Sequence, residues 1–315
     1  MPFTSPILPI GRRLWERAKT WWNDRPVTIG YPCPPPLTIT EGLRQSLLLV
    51  MEWSSRHDVD GSHNQEHSKE VLFWLIQILE KTPEEALENS TMITAMHGAI
   101  LHDVLDEKYM CAGAIHKYRD ILLAHLHRVL PDPLDAPFLL RVMEGISYRK
   151  VVQKDGSVRF PEWIPKEGKW YNIYHWIREA DLLASYNIAR MVEYRTRDVP
   201  RNETIEIWPT VVRDVMDLYH RRIARLVERG LFVHPEAREI AEPLAYVASL
   251  KATLLSSSSI TSERYTQQLD ILRIVHHLRW SFLRSRVRKV MTLDPVPSST
   301  GEDKTMDPPL LSQVE

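Results

Sequence analysis

The stretch AILHDVLDEKY, residues 99–109, joins an apolar run directly to a dense group of charges. Its first three residues have the character of a buried helix, and His102 and Asp103 follow them at once. Because an unpaired buried charge is costly, a core helix that ends in charge needs partners for those groups. Adjacent helical residues point about 100° apart, so His102 and Asp103 can reach one ion only near a helix end. The stretch therefore predicts a helix terminus at a functional site.

The pattern on either side of this stretch is helical over most of the 315 residues. Apolar residues recur three and four positions apart, as in TITEGLRQSLLLVMEWSS (38–55), which is typical of amphipathic helices. We predict an all-α, multi-helix bundle over 41–290, between a proline-rich extension (1–40) and a disordered tail (291–315). Single helices are predicted over 169–194 and 208–230. Asp-Gly and proline turns predict one irregular loop or small hairpin at about 149–168.

Composition and charge limit the classes of protein to which this chain can belong. The formal net charge of −1 gives no sign of a chain that coats nucleic acid, and we expect no nucleic-acid partner. Cys33 and Cys111 indicate no disulfide framework, which fits a reducing compartment. No apolar run approaches the roughly 20 residues that span a bilayer, and the N-terminus carries proline and charge where a signal peptide is apolar. We expect a cytoplasmic protein without a transmembrane segment.

Four side chains of metal-ligand type lie on or beside three apolar helical segments. Two of them are imidazoles and two are carboxylates, a mixture that suits a divalent ion with open positions for water and substrate. Taken singly, each has a plainer explanation, such as a helix cap or a salt bridge from Asp181 to Arg178 or Arg190. Their order along the chain favours one shared metal ion. The four residues are His67, His102, Asp103 and Asp181.

These residues resemble the HD-domain superfamily of metal-dependent phosphohydrolases, and most closely a bacterial-type branch that acts on nucleotides. The similar motifs are DGSHNQEH (60–67), LHDVLDEK (101–108), EGISY (144–148), EADLLASYNIAR (179–190) and LYHRRIARL (218–226). The resemblance implies an HD-type helical bundle in which the two histidines and two aspartates named above bind one divalent ion. We expect this ion to be Mn²⁺. The alternatives are Mg²⁺, Fe²⁺, Co²⁺ and Ni²⁺.

The resemblance further implies hydrolysis of a phosphoester or phosphoanhydride bond by attack of metal-bound water. The substrate would be a nucleotide or another small phosphate compound. Asp106 would orient or deprotonate the water, and Lys108 would neutralise a phosphate oxygen. His63 could protonate the leaving oxygen or support a metal ligand. Arg190 and Lys150, with Arg149, are further candidates for phosphate contacts.

The chain departs from this branch at three positions. Glu70 stands where arginine is usual, and Leu182 and Ala184 stand where arginine and aspartate are usual.

Two other functions therefore remain possible for this chain. One is a catalytically weak nucleotide-binding module. The other is a dinuclear-iron HD oxygenase or cyclic-nucleotide phosphodiesterase, which would need further histidines for its second ion. The candidates for that role are His116, His125 and His127.

Overall fold

The computed structural model describes residues 39–59, 63–83, 87–107, 109–110, 112–196 and 204–257. Several predictions fall on residues outside these ranges. They concern Lys108, the proline-rich extension before residue 39, the part of the helical domain after residue 257, and the tail over 291–315.

Every regular element in the described residues is a helix, which confirms the all-α prediction. The described part of the chain contains ten α-helices and two single-turn 3₁₀ helices, the latter at Pro133–Asp135 and Ile223–Arg225. None of these helices combines the length and apolar character needed to cross a bilayer. The α-helices are α1 (Ile39–Arg56), α2 (Gln65–Lys81), α3 (Asn89–Leu101), α4 (Ala112–Val129), α5 (Ala136–Gly145), α6 (Tyr148–Val151), α7 (Lys169–Ala184), α8 (Ile188–Thr196), α9 (Thr204–Arg221) and α10 (Pro235–Ser257).

The segment after α6 forms the predicted irregular loop with a small hairpin. One antiparallel bridge pairs Val152 with Val158, and the Gln153 N–H donates to the Ser157 carbonyl at 2.9 Å. Gly156 between them has φ +84°, a left-handed conformation that favours glycine. The first residues of the predicted loop belong instead to the short helix α6.

Helix α7 lies at the centre of the core. Every residue from 173 to 180 is buried, and α2 and α3 both pack against this helix. The close approach of α3 depends on Gly98, where an added Cβ would lie 2.4 Å from Ile177 Cδ1. Because α2, α3 and α7 pack side by side, polar residues near their ends are brought together.

The structure divides the helix predicted over 169–194 into two. The Ser185 hydroxyl donates to the Leu182 carbonyl at 2.6 Å, and the Asn187 amide turns toward the buried carboxylate of Glu70. These contacts end α7 and let the chain change direction before α8. The helix predicted over 208–230 is also shorter at its end, because the chain tightens into a 3₁₀ turn after Arg221.

A buried polar contact links three helices. Ser46 Oγ of α1 lies 2.8 Å from His97 Nδ1 of α3 and 2.8 Å from His125 Nε2 of α4. Burial, assisted by the proximity of His125, lowers the pKa of His97 to about 3. Burial and the nearby Arg128 lower the pKa of His125 to about 4. Both imidazoles are therefore neutral in the folded protein at neutral pH.

We expect the free energy of unfolding to fall as the pH falls from about 6.5, the usual histidine pKa, toward 4. In this window the unfolded chain binds protons on His97 and His125 that the folded protein does not bind. Each histidine then costs up to about 1.4 kcal/mol per pH unit. Urea unfolding at several pH values measures the slope. His125→Gln should flatten it, whereas His127→Gln, at an exposed position of the same helix, should leave it unchanged. Equal slopes for all three proteins would contradict this account.

Candidate metal centre

The four predicted metal ligands meet at the ends of three helices. His67 lies in the first turn of α2, His102 and Asp103 directly follow α3, and Asp181 lies in the last turn of α7. His67 Nε2 is 3.3 Å from Asp103 Oδ2 and 3.4 Å from Asp181 Oδ1. His102 Nε2 is 3.2 Å and 3.9 Å from the same two oxygens. The side chains are thus close enough to share one ion.

Local structure fixes the orientation of both histidines. The Asn64 side chain caps α2 and accepts hydrogen bonds from the backbone N–H groups of Glu66 and His67, which fixes the start of the helix. His102 Nδ1 lies 2.9 Å from the Ala99 carbonyl oxygen and donates to it, since a carbonyl can only accept. In the neutral imidazole the lone pair of His102 therefore lies on Nε2 and faces the carboxylates, as in many histidine metal ligands.

Two buried atoms of this group fit a cation. His102 Nε2 and Asp103 Oδ2 are buried and have no hydrogen-bond partner within the described residues. When His102 is neutral with its proton on Nδ1, both atoms present lone pairs to each other across 3.2 Å, and either a proton on Nε2 or a metal ion between them relieves this arrangement. Both histidine side chains are 2 % exposed, whereas those of Asp103 and Asp181 are 18 % and 24 % exposed. The centre is therefore open to solvent on its carboxylate side.

Electrostatics at the centre favour positive charge. Burial opposes a charge on His102, but Asp103 and Asp181 outweigh it and raise the pKa of His102 to about 9. Burial would raise the pKa of both carboxyl groups, yet His102 holds the pKa of Asp103 well below its usual range. His67 and His102 hold the pKa of Asp181 below its usual range in the same way. The two carboxylates thus stabilise a positive charge among the four side chains, whether a proton or a metal ion carries it.

The plainer explanation of Asp181, a salt bridge to arginine, does not hold for the described residues. Arg178 Nη2 lies instead 3.5 Å from Glu179 Oε1 and donates to the Leu231 carbonyl at 2.6 Å. Arg190 Nη1 lies 3.9 Å from Glu70 Oε2. Asp181 is left with the two histidines as its ionic partners.

Glu70, the first departure from the family pattern, is fully buried beside the centre. Its carboxylate accepts hydrogen bonds from Asn187 Nδ2 at 3.3 and 3.4 Å and pairs with Arg190. Arg190 in turn contacts His67 Nδ1. Burial and this guanidinium lower the pKa of His67. The predicted substrate residue Arg190 therefore lies against a predicted metal ligand, held by a residue that the family pattern does not contain.

This contact sets a condition for metal binding. A guanidinium can only donate, so His67 Nδ1 accepts from Arg190 and the imidazole proton lies on Nε2, facing Asp103 and Asp181. Ligation of a metal by Nε2 requires that proton to leave Nε2. Arg190 must then give up its contact with His67, which would free it to bind an anion.

The two predicted catalytic residues lie beside Asp103. Donor atoms of His63, Asp103 and Asp106 all lie within 4.8 Å of one another. The Tyr109 hydroxyl is 3.0 Å from His63 Nδ1. Among the described residues, this group and the group of His67, His102 and Asp181 are the two sets of side chains spaced for a metal ion.

The remaining predicted residues lie elsewhere. Lys150 Nζ donates to the Glu144 carbonyl at 2.5 Å, so its role with substrate stays a prediction. Leu182 and Ala184 are buried in the core, which explains why apolar residues are tolerated there. Three histidines were candidates for a second ion, but His125 is engaged with Ser46 and the other two are exposed. Those two are His116 and His127.

The sequence prediction missed two features of this region. One is the Glu70–Asn187 contact, whose partners are far apart in the chain. The other is Arg222, which lies 4.1 Å from the ring centroid of Tyr148. Both Arg222 and Tyr148 belong to segments that resemble the HD family, and this was the available signal.

Comparison of the chain with protein-family models, curated proteins and solved structures finds no match. The family resemblance therefore rests on the five motifs, and the geometry of the centre is the independent observation beside them.

Proposed function

We propose that this protein is a metal-dependent phosphohydrolase of HD type, acting on a nucleotide or another small phosphate compound. The supporting observation is that four candidate ligands meet at one point, namely His67, His102, Asp103 and Asp181. Two of the atoms that meet there, His102 Nε2 and Asp103 Oδ2, are buried and have no hydrogen-bond partner in the described residues. Two histidines and two carboxylates from separate helices are a ligand set for a borderline divalent ion, and we propose Mn²⁺. The cysteine content supports a cytoplasmic location as part of the same proposal.

A divalent ion held by these four residues would supply a Lewis acid and lower the pKa of water to near neutral. The neighbouring side chains have the chemistry for the remaining work. Asp106 would accept a proton from the attacking water, and His63 would give one to the leaving oxygen. Arg190, once released from His67, would neutralise charge on a phosphoryl oxygen.

The test is release of phosphate and pyrophosphate from nucleoside mono- and triphosphates and from a simple phosphate monoester. We expect release with added Mn²⁺ and a loss of at least about tenfold after treatment with a chelator, restored by Mn²⁺. Asp106→Asn should retain bound metal yet lose about 10²-fold or more in rate, the usual contribution of a general base. Stoichiometric Mn²⁺ binding without release from any compound would contradict the hydrolase and favour a nucleotide-binding module.

A second candidate is a dinuclear form of the centre, favoured by one observation. Asp103 contacts His67 and His102 of the four-residue centre, and it also forms a second set of possible ligands with His63 and Asp106. Metal content separates the two candidates, because the mononuclear enzyme binds one ion per chain and the dinuclear enzyme binds two.

A further inference from the structure

A cleft of about 530 Å³ lies where helix α6 and the hairpin meet the segment after α9. Its lining includes Tyr148, Arg149, Lys154 and Arg229, and it also includes Asp155. The Asp155 carboxylate accepts hydrogen bonds from the Ser157 N–H at 2.9 Å and from the Ser157 hydroxyl at 2.7 Å. The lining thus contains three cationic side chains and one carboxylate, and the carboxylate is already hydrogen-bonded to Ser157. The excess of positive charge favours an anionic ligand in the cleft.

Tyr148, which lines this cleft, contacts two arginines. Arg229 Nη1 donates to the Tyr148 hydroxyl at 2.5 Å, and the Arg222 guanidinium lies over the Tyr148 ring at 4.1 Å from its centroid. A guanidinium on an aromatic face keeps its N–H edge available for other partners. The tyrosine therefore holds both arginines in place without neutralising either of them.

Arg222 makes no close contact with a carboxylate among the described residues, although Asp181 acts on it at longer range. Its Nε is buried and has no hydrogen-bond partner in the described part of the chain. Neither Arg222 nor Arg149 nor Lys154 forms an ion pair with a carboxylate there. Because a buried charge without a partner is strongly unfavourable, such a group calls for an anionic ligand.

Arg222 also connects the cleft with the candidate metal centre. Burial lowers the pKa of Arg222, the carboxylate of Asp181 opposes this effect, and the charges of Arg190 and Arg149 reinforce it. Arg222 is thus within electrostatic range of a predicted metal ligand on one side and of a cleft residue on the other.

We propose that Arg222, together with Arg149 and Arg229, binds a second phosphate group of the substrate. The inference rests on the proposed function and makes it more specific, because the substrate would carry at least two linked phosphates. One phosphate would lie at the metal centre and the next at Arg222, whose forked N–H groups match phosphate oxygens. Monophosphates would lack this second contact.

The test measures binding of inorganic tripolyphosphate and of orthophosphate to the full chain by calorimetry, with and without chelator. Arg222→Met and Arg149→Met remove cations of the subsite, and Arg222→Lys keeps the charge without the fork. Arg221→Met is the matched control, because Arg221 is the exposed neighbour paired with Asp217. Mn²⁺ binding by equilibrium dialysis is measured for every variant.

We expect tripolyphosphate affinity to fall at least tenfold in Arg222→Met, about threefold or more in Arg149→Met, and by an intermediate factor in Arg222→Lys. Arg221→Met should bind like the wild type, and Mn²⁺ stoichiometry should be unchanged throughout. Wild-type tripolyphosphate affinity in both Arg222→Met and Arg149→Met would overturn the inference. Failure of the wild type to bind Mn²⁺ would instead overturn the proposed function, and the two failures are thus distinguishable. Arg149 is exposed, so its variant remains informative if Arg222→Met does not fold.

Discussion

Replacement of His102 by alanine is expected to weaken Mn²⁺ binding by at least about 100-fold, equivalent to roughly 2.7 kcal/mol. His102 Nε2 is a buried lone pair with no hydrogen-bond partner among the described residues, and its Nδ1 is anchored to the Ala99 carbonyl. The other three candidate ligands are His67 on α2, Asp181 on α7 and Asp103. Phosphate release should fall with metal occupancy. Equilibrium dialysis and a phosphate assay on the same preparations measure both effects.

The control for His102→Ala is His116→Ala, which removes an exposed imidazole from α4 and should leave metal binding unchanged. Asp103→Asn offers a second variant, because it keeps the shape of the side chain and removes the charge. Thermal unfolding without metal shows whether each variant is folded. If folded His102→Ala bound Mn²⁺ like the wild type, the four side chains would be a buried polar cluster and not a metal centre.

The end of α3 was predictable because the decisive information is local. An apolar run followed by His102, Asp103 and Asp106 places charge where a buried helix cannot continue, and α3 ends at Leu101. The meeting of His67 with His102 was also predictable, since two consecutive amphipathic helices pack against each other and bring their ends together. Asp181 lies on a helix that is not next in the chain, and its place in the predicted site came from the order of the four residues and the family resemblance.

The surroundings of the centre were not predictable, because they depend on contacts between distant parts of the chain. Glu70 appeared only as a departure from a pattern, and its pairing with Asn187 and Arg190 exists only once α2 and the turn before α8 are packed. The same contact ends α7 early, against a periodicity that continues to residue 194. Arg222 lies in a segment that resembles the HD family, but nothing local to it predicts its contact with a tyrosine from another helix.

Replacement of Glu179 by alanine is expected to lower the free energy of unfolding by about 3–5 kcal/mol, the cost of breaking a buried ion pair. Glu179 is 0 % exposed and lies 3.5 Å from the guanidinium of Arg178, which is also buried. Its carboxylate accepts hydrogen bonds from the N–H groups of Val233 at 2.5 Å and His234 at 3.2 Å. It also contacts His234 Nδ1 at 2.9 Å. The substitution would leave one buried charge and these donors unpartnered.

Urea unfolding of Glu179→Ala and Glu179→Gln measures this effect against Glu239→Ala. The glutamine keeps an acceptor oxygen and loses the charge, so its loss should be smaller than that of alanine. Glu239 is 68 % exposed and pairs with Lys81 at 2.6 Å, and a surface pair of this kind contributes at most about 1 kcal/mol. A loss in Glu179→Ala no larger than in Glu239→Ala would contradict a structural role for the buried pair. Glu179 lies two residues before Asp181 on α7 and holds the segment before α10 against that helix. Folded Glu179→Gln should therefore still bind Mn²⁺, because the residue supports the helix and is not itself a ligand.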